Sequence, residues 1–173
     1  MNKSSFSTKK LTLLSMLTAV AMLLSYVESL VPPFVAIPGV KLGLSNIATV
    51  LTLYTLGIPA AIAVSFVRVC LSSLLFGNVQ ILFFSLMGAA FALITMSVMK
   101  KLTPFSVIGV SVAGGVMHNA GQIVAACIVM ENAAIASYLP PLIVTGTLAG
   151  VAVGAAAAAL VGRLSSIINK HSK

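Results

Sequence analysis

Long apolar runs, separated by short breaks of polar residues, glycine or proline, make up most of the chain. A helix that crosses a bilayer needs about 20 mainly apolar residues. Six runs approach or reach this length, at residues 11–30, 42–56, 58–76, 79–99, 105–130 and 139–164. The connections are short, and no change of composition marks a second domain. We therefore predict a single all-α integral membrane domain over residues 1–173, built as a bundle of six transmembrane helices.

The composition places the chain among membrane proteins, and its basic residues predict an orientation. Hydrophobic residues make up 60% of the sequence and charged residues 7%, which excludes an ordinary soluble domain. Six spans bring both termini to one side, which carries eight of the ten Lys and Arg residues: Lys3, Lys9, Lys10, Lys100, Lys101, Arg163, Lys170 and Lys173. Basic loops stay in the cytoplasm, so we predict cytoplasmic termini. The net charge of +8 then reflects topology and attraction to anionic lipid rather than nucleic-acid binding.

The opposite, exterior side is predicted to carry three short loops, Pro32–Pro38, Gly77–Gln80 and Glu131–Pro141. Lys41 is the single basic residue assigned to this side. Proline cannot continue a helix, so we expect an irregular or re-entrant segment at the first of these loops. Lys41 follows that segment, where it either contacts a ligand or reaches lipid headgroups.

Arg68 is the one charged residue inside an otherwise uncharged run, residues 58–76. A guanidinium near the bilayer centre costs about 2.5–3.5 kcal/mol on insertion scales, so such a residue normally faces a protein interior or a water-filled cavity. The chain has no Asp, and its two Glu residues are Glu28 and Glu131. Arg68 therefore either forms a structural ion pair with Glu28 or binds an anionic group of a ligand. Both alternatives stay open from the sequence.

Further polar residues of the spans fall between mid-membrane and the exterior side. They come from four of the predicted helices, and they are Glu28, Ser45, Asn46, Thr49, Ser72, His118, Asn119 and Gln122. Polar side chains that several helices contribute at one depth predict a ligand cavity that opens outward. For the three residues of the fifth helix, hydrogen bonds between helices are the alternative.

Small residues recur every four positions along the sixth run. They are Gly146, Gly150, Gly154, Ala158 and Gly162. Small residues at this spacing allow two helix backbones to approach closely. We predict that this strip packs against another helix of the same bundle rather than against a partner protein.

Four segments of the chain resemble, in order, one family of membrane proteins. They are Ile37–Ile47 (IPGVKLGLSNI), Val67–Val69 (VRV), Leu75–Asn78 (LFGN) and Met117–Gln122 (MHNAGQ). The resemblance is to proteins described as heptaprenyl diphosphate synthase component I, also called the Gx transporter family. It covers nearly the whole chain and adds Asn78 to the candidate ligand-binding residues.

The resemblance implies an S-component-like fold and role. That family is grouped with the substrate-binding S-components of energy-coupling-factor transporters, which bind a small molecule from the exterior. They dock on a coupling transmembrane subunit that works with separate ATPases. Docking of this kind typically uses small residues four apart on the first helix, and Ser15 with Ala19 is the nearest match here. Some members resemble a component of flavin-based extracellular electron transfer, which leaves an anionic, a flavin-like and a quinone-like ligand open.

The residues argue against catalysis by this chain. Prenyl-chain elongation requires Mg²⁺ held by clustered carboxylates, whereas the chain has two Glu and no Asp. It also lacks a GxxxxGK[ST] segment for ATP hydrolysis. We therefore expect no catalytic residue, metal or cofactor. Two alternatives remain. One is a non-catalytic accessory subunit of quinone, prenyl-diphosphate or flavin-based electron-transfer machinery. The other is an ion- or proton-coupled carrier that acts alone, against which the lack of a carboxylate near mid-depth argues.

Overall fold

The computed structural model describes residues 8–30, 43–102 and 105–170. In this part the chain forms α1 (Thr8–Ser29), α2 (Asn46–Thr55), α3 (Ile58–Phe76), α4 (Val79–Leu102), α5 (Val107–Val129) and α6 (Leu139–Lys170). A short 3-10 helix, Ala133–Tyr138, precedes α6 within the third predicted loop. All helices except α2 are long and apolar enough to cross a membrane. The prediction of an all-helical membrane protein is confirmed for the described residues.

The second predicted span, residues 42–56, requires a correction. Helix α2 begins at Asn46 and has 10 residues, so it is about 15 Å long, against about 30 Å for the hydrocarbon core. Gly43 lies before it with a φ of 81°, in the left-handed region that interrupts a right-handed helix. The Gly43 carbonyl accepts a hydrogen bond of 2.9 Å from the Asn46 N–H. A turn therefore leads into a helix that covers half of the bilayer.

Contacts between helix ends establish that the helices alternate in direction. The rings of Tyr26 and Phe76 lie 5.1 Å apart near the ends of α1 and α3, so we call this side of the bundle the Glu28 end. The Lys100 Nζ donates a hydrogen bond of 2.6 Å to the Leu53 carbonyl, near the ends of α4 and α2. This opposite side is the Lys100 end. The basic residues of α1, α4 and α6 that the structure describes lie towards it: Lys10, Lys100, Lys101 and Arg163.

Glycines bring α5 and α6 into close antiparallel contact. A methyl group on Gly150 would lie 2.5 Å from the Val112 Cα, and one on Gly115 would lie 2.5 Å from the Gly146 carbonyl oxygen. Backbone atoms at such distances leave no room for a side chain. The prediction that the small-residue strip of the sixth span packs within the bundle is confirmed for Gly146, Gly150 and Gly154, whereas Gly162 is exposed.

The interior is apolar at the Lys100 end and polar from mid-depth towards the Glu28 end. The main hydrophobic core lies in the Lys100 half and contains residues of α2, α3, α4, α5 and α6: Val50, Leu53, Ala61, Ala92, Met96, Val110, Val153 and Ala157. A second cluster, around Leu17, Ala48 and Val64, packs α1 onto α2 and α3. At the Glu28 end, two smaller clusters pack α4 and α5 against the 3-10 helix and the start of α6. Most of the buried polar side chains lie between these apolar layers, whereas Thr52, Ser65 and Ser111 lie in the Lys100 half.

Candidate functional site

The segment Gly43–Asn46 joins three helices. The Gly43 N–H donates a hydrogen bond to Oε1 of Glu28, near the end of α1. The hydroxyl of Ser45 accepts a hydrogen bond from Nη1 of Arg68 in α3. Asn46 then begins α2. One short segment therefore links both buried charges to the N-terminus of the half-length helix.

Helix geometry places this segment near the middle of the membrane. Arg68 lies ten residues after Ile58, the start of α3 at the Lys100 end, which is a rise of about 15 Å. Helix α2 ends at the same side and has 10 residues, so its N-terminus is also about 15 Å from that end. The contact between Arg68 and Ser45 agrees with this depth. The N-terminus of α2 therefore lies inside the bundle rather than at the membrane surface.

Arg68 is buried with part of its hydrogen-bonding capacity unused. Its side chain is 6% exposed, and Nη1 donates to Ser45. Nε and Nη2 have no hydrogen-bond partner in the part of the chain that the structure describes. Glu28, itself 4% exposed, accepts from Gly43 in the same short segment. The structure thus brings both charges together, while the hydrogen bond of Arg68 goes to Ser45.

His118 and Gln122 lie on α5 where Gly88 of α4 makes room for them. A methyl group on Gly88 would lie 2.9 Å from the Gln122 Cγ and 3.0 Å from the His118 Cε1. Both side chains are buried. His118 lies eleven residues after the start of α5, a rise of about 17 Å that matches the depth of Arg68. His118 therefore shares the depth of the charged group, and Gln122 lies one turn nearer the Glu28 end on the same face of α5.

Asn119 makes a contact between helices. Its Nδ2 donates a hydrogen bond of 2.8 Å to the Leu142 carbonyl of α6, which also accepts one of 3.2 Å from the Thr145 hydroxyl. The structure accounts for Asn119 as a link between α5 and α6. Its role in ligand binding stays a prediction.

A small cavity, about the size of one water molecule, lies between α2, α4, α5 and α6. Gly43 and Asn46 line it from the side of α2, and Ser111 and Gly150 from the sides of α5 and α6. The Ser111 hydroxyl is buried without a hydrogen-bond partner among the described residues. A water molecule here would have polar contacts on two helices. The larger cavity that opens outward stays a prediction.

The other predicted ligand residues are placed differently. Ser72 is buried one turn after Arg68, and its hydroxyl donates a hydrogen bond of 3.3 Å to the Val69 carbonyl. Asn78 is exposed, and its Oδ1 accepts a hydrogen bond of 2.8 Å from the Ile81 N–H at the start of α4. It acts as a helix cap and lies apart from the buried polar groups. Lys41 and the predicted loop Pro32–Pro38 lie outside the described residues.

Of the two residues at the centre of the site, Ser45 was predicted only as one of the polar residues of the cavity, and Gly43 was not predicted. Ser45 and Gly43 both belong to the segment IPGVKLGLSNI. A glycine followed by Ser-Asn ahead of an apolar run is a signal for the start of a helix. That signal could have located the start of α2, which the predicted span 42–56 placed four residues too early. It did not indicate that Arg68 and Glu28 would bond to the same turn.

The predicted docking residues, Ser15 and Ala19, are exposed on α1. Of the membrane-spanning candidates, α1 is the least buried in the bundle, at 22% of its apolar window. Large apolar side chains surround the pair on the same face, among them Met16, Val20 and Leu23. The face is available to lipid or to a partner, and docking stays a prediction.

Comparison with known proteins gives one match. A family model described as heptaprenyl diphosphate synthase component I matches residues 17–160. The matched region contains the described ligand candidates and the turn before α2, and it leaves out Ser15. No curated protein and no solved structure matches the chain.

Proposed function

The chain belongs to the heptaprenyl diphosphate synthase component I family, and on that basis we propose that it is a small-molecule-binding membrane subunit. In this proposal it resembles the S-component of an energy-coupling-factor uptake transporter. It lies in a bacterial cytoplasmic membrane with the Lys100 end in the cytoplasm, since basic residues gather there. The ligand enters from the Glu28 end.

One observation carries the proposal: a buried, permanently charged guanidinium with unused donors lies beside a half-length helix inside the bundle. Isolated charges within membranes are expensive and are typical of ligand or ion pathways. Transport proteins also use interrupted helices whose N-termini point at anionic groups of a substrate near mid-membrane. Arg68, Asn46 and Gln122 supply the polar contacts of this proposed site.

The same residues make a catalytic role a poor fit. A prenyl-diphosphate synthase needs clustered carboxylates to hold Mg²⁺. The full chain has two Glu and no Asp, and one of those two, Glu28, is engaged by the Gly43 N–H. We propose that the family description refers to membership of a multi-component system and that this chain contributes binding rather than synthesis.

A second candidate function is supported by the family description itself. The chain would then be a non-catalytic membrane partner of quinone, prenyl-diphosphate or flavin-based electron-transfer enzymes. The ligand would be flavin-like or quinone-like in that case. The two candidates share a binding site and differ in the protein that docks on the bundle.

Purification from native membranes in mild detergent, followed by native mass spectrometry, tests both candidates. For the transporter subunit we expect a retained small molecule, together with a coupling transmembrane subunit and ATPases. Recovery of a prenyl-diphosphate synthase or redox proteins in their place would support the second candidate. Protein that carries neither a small molecule nor any partner would contradict both.

A further inference from the structure

We infer that the Nε–Nη2 edge of Arg68, together with the N-terminus of α2, is the subsite for a carboxylate group of the ligand. This inference rests on the proposed ligand-binding function and names the chemical group that the site takes. Arg68 belongs to α3, while Ser45 holds the guanidinium at the start of α2. The subsite is therefore formed by two helices at mid-membrane depth.

The geometry of the guanidinium provides the first step. An Arg side chain carries five N–H donors in one plane. Nη1 is used by Ser45, whereas Nε and Nη2 lack hydrogen-bond partners in the described structure. The Nε and Nη2 donors form a fork that matches the two oxygens of a carboxylate. The unused edge of Arg68 is thus the edge that binds an oxyanion through two parallel hydrogen bonds.

The helix terminus provides the second step. A helix N-terminus carries partial positive charge and attracts anions. Ser45 is the residue before α2, and its side chain makes no capping hydrogen bond to the helix because it accepts from Arg68. Thr49, four residues later and therefore on the same face, has a buried hydroxyl without a hydrogen-bond partner among the described residues. Both features favour an acceptor group between α2 and α3.

Among the described residues, the balance of charge disfavours a dianion. Arg68 contributes +1, Glu28 contributes −1, and the N-terminus of α2 contributes roughly +0.5. A carboxylate would leave the subsite near −0.5, whereas a dianionic phosphate would leave it near −1.5 by the same rough count. Excess charge of that size is costly inside a membrane. The arrangement therefore favours a carboxylate over a phosphate.

The small number of arginines allows a direct test by NMR. The chain has two, Arg68 and Arg163, so protein labelled with ¹⁵N-arginine gives two Nε–H signals, which an Arg163→Lys variant assigns. The labelled protein is titrated with acetate, with neutral acetamide of the same shape, and with inorganic phosphate. We expect acetate to shift the Arg68 Nε–H signal downfield and saturably, acetamide to leave it unchanged, and phosphate to act more weakly than acetate. The exposed Arg163 is the internal control.

A variant tests the role of Ser45 in holding the fork. Ser45→Ala removes the acceptor of Nη1, and we expect acetate to bind about tenfold more weakly, which corresponds to the loss of one hydrogen bond. Ser137→Ala, at an exposed position in the 3-10 helix, should leave acetate binding unchanged.

An Arg68 signal that does not respond to acetate, or that responds to phosphate alone, would overturn the carboxylate assignment. If native mass spectrometry still finds a retained neutral molecule in that case, the proposed binding function stands without the carboxylate subsite. Acetate binding by a protein that retains no molecule and no partner would instead support the carboxylate subsite and contradict the proposed function.

Discussion

Arg68 and Asn119 illustrate the two roles that buried polar residues take in this bundle. Arg68 keeps two nitrogens without hydrogen-bond partners in the described structure, and under the proposal these nitrogens bind the ligand. The Asn119 amide donates to the Leu142 carbonyl of the neighbouring helix, which indicates packing. Both residues were candidates from the sequence because polar side chains are rare in spans. The hydrogen bonds of the structure were needed to tell the two roles apart.

Replacement of Asn119 tests this separation. Asn119→Ala removes the hydrogen bond to the Leu142 carbonyl, so we expect the free energy of unfolding to fall by about 1 kcal/mol with ligand occupancy unchanged. Gln122→Ala should show the opposite pattern, with lost occupancy. Thermal unfolding and native mass spectrometry of both variants measure the two effects. Loss of ligand in Asn119→Ala at normal stability would assign this residue to the site.

At the scale of single residues, the sequence predicted that Arg68 is buried, but it did not predict the hydrogen-bond partner of its side chain. The cost of an exposed guanidinium in lipid indicated that Arg68 faces the interior, and it does. The choice between Ser45 and Glu28 as its hydrogen-bond partner depends on how three helices meet. No local pattern contains that information.

Among the helices, α2 is the element that differs most from expectation. The bounds of α3 agree with the predicted span 58–76, because Gly57 and Pro59 mark its start and Gly77 follows its end. Leu42 and Leu44 lie ahead of the apolar run that follows Asn46, so the apolar pattern alone does not show that α2 begins at Asn46. The turn at Gly43 depends on a backbone conformation that hydropathy does not report.

The turn before α2 should tolerate no side chain at Gly43. Gly43→Ala places a Cβ at a φ of 81°, 3.2 Å from the Asn46 Nδ2, and left-handed backbone costs about 1–2 kcal/mol for other residues. We expect a lower unfolding temperature and weaker ligand binding, because the segment holds both Glu28 and Arg68. Circular dichroism and native mass spectrometry measure the two effects. A Gly43→Ala protein with unchanged unfolding and occupancy would show that the turn does not organise the site.

The contact between α5 and α6 gives a second prediction at this scale. Gly150→Ala would force a methyl group to within 2.5 Å of the Val112 Cα, and such overpacking costs about 1–3 kcal/mol. Gly162→Ala is the matched control, because a methyl group there meets no atom within 4 Å. We expect thermal unfolding to separate the variants, with Gly150→Ala the less stable. Equal stability would contradict the close backbone contact.

The whole molecule combines an apolar half, a polar layer and one weakly buried helix. The apolar half anchors the bundle at the Lys100 end, and the polar layer binds the ligand under the proposal. Helix α1 leaves a face with Ser15 and Ala19 open to lipid or a partner. The family and the helical class could be predicted from the sequence. The partner could not, because no single motif of the chain identifies the protein that would cover the exposed face of α1.

Orientation is tested by cysteine labelling in a background without Cys70 and Cys127. Asn78→Cys, in the exposed turn at the Glu28 end, should react with a membrane-impermeant reagent added from outside. Lys101→Cys, at the opposite end, should react only after the membrane is opened. Exterior labelling at position 101 would reverse the proposed orientation and the side from which the ligand enters.

Docking is tested on the exposed face of α1. Replacing both Ser15 and Ala19 by Leu would keep a partner helix from close approach, so we expect loss of partner association and uptake with ligand occupancy unchanged. Met16→Leu, on the same exposed face, is the control for added leucine. Uptake at the normal rate in the double variant would exclude this face as the docking surface.

The central claim is that Arg68 serves a ligand rather than the fold, and native mass spectrometry of Arg68→Leu tests it most directly. Val67→Leu, at the neighbouring position that is 42% exposed, is the matched control. We predict that the wild type and Val67→Leu carry the same additional mass. Arg68→Leu should insert and fold, with a lower unfolding temperature because Glu28 keeps a buried charge without its cation, and should lack that mass well below this temperature. An Arg68→Leu protein that retains the ligand at equal occupancy, or that loses it only by unfolding, would contradict the account.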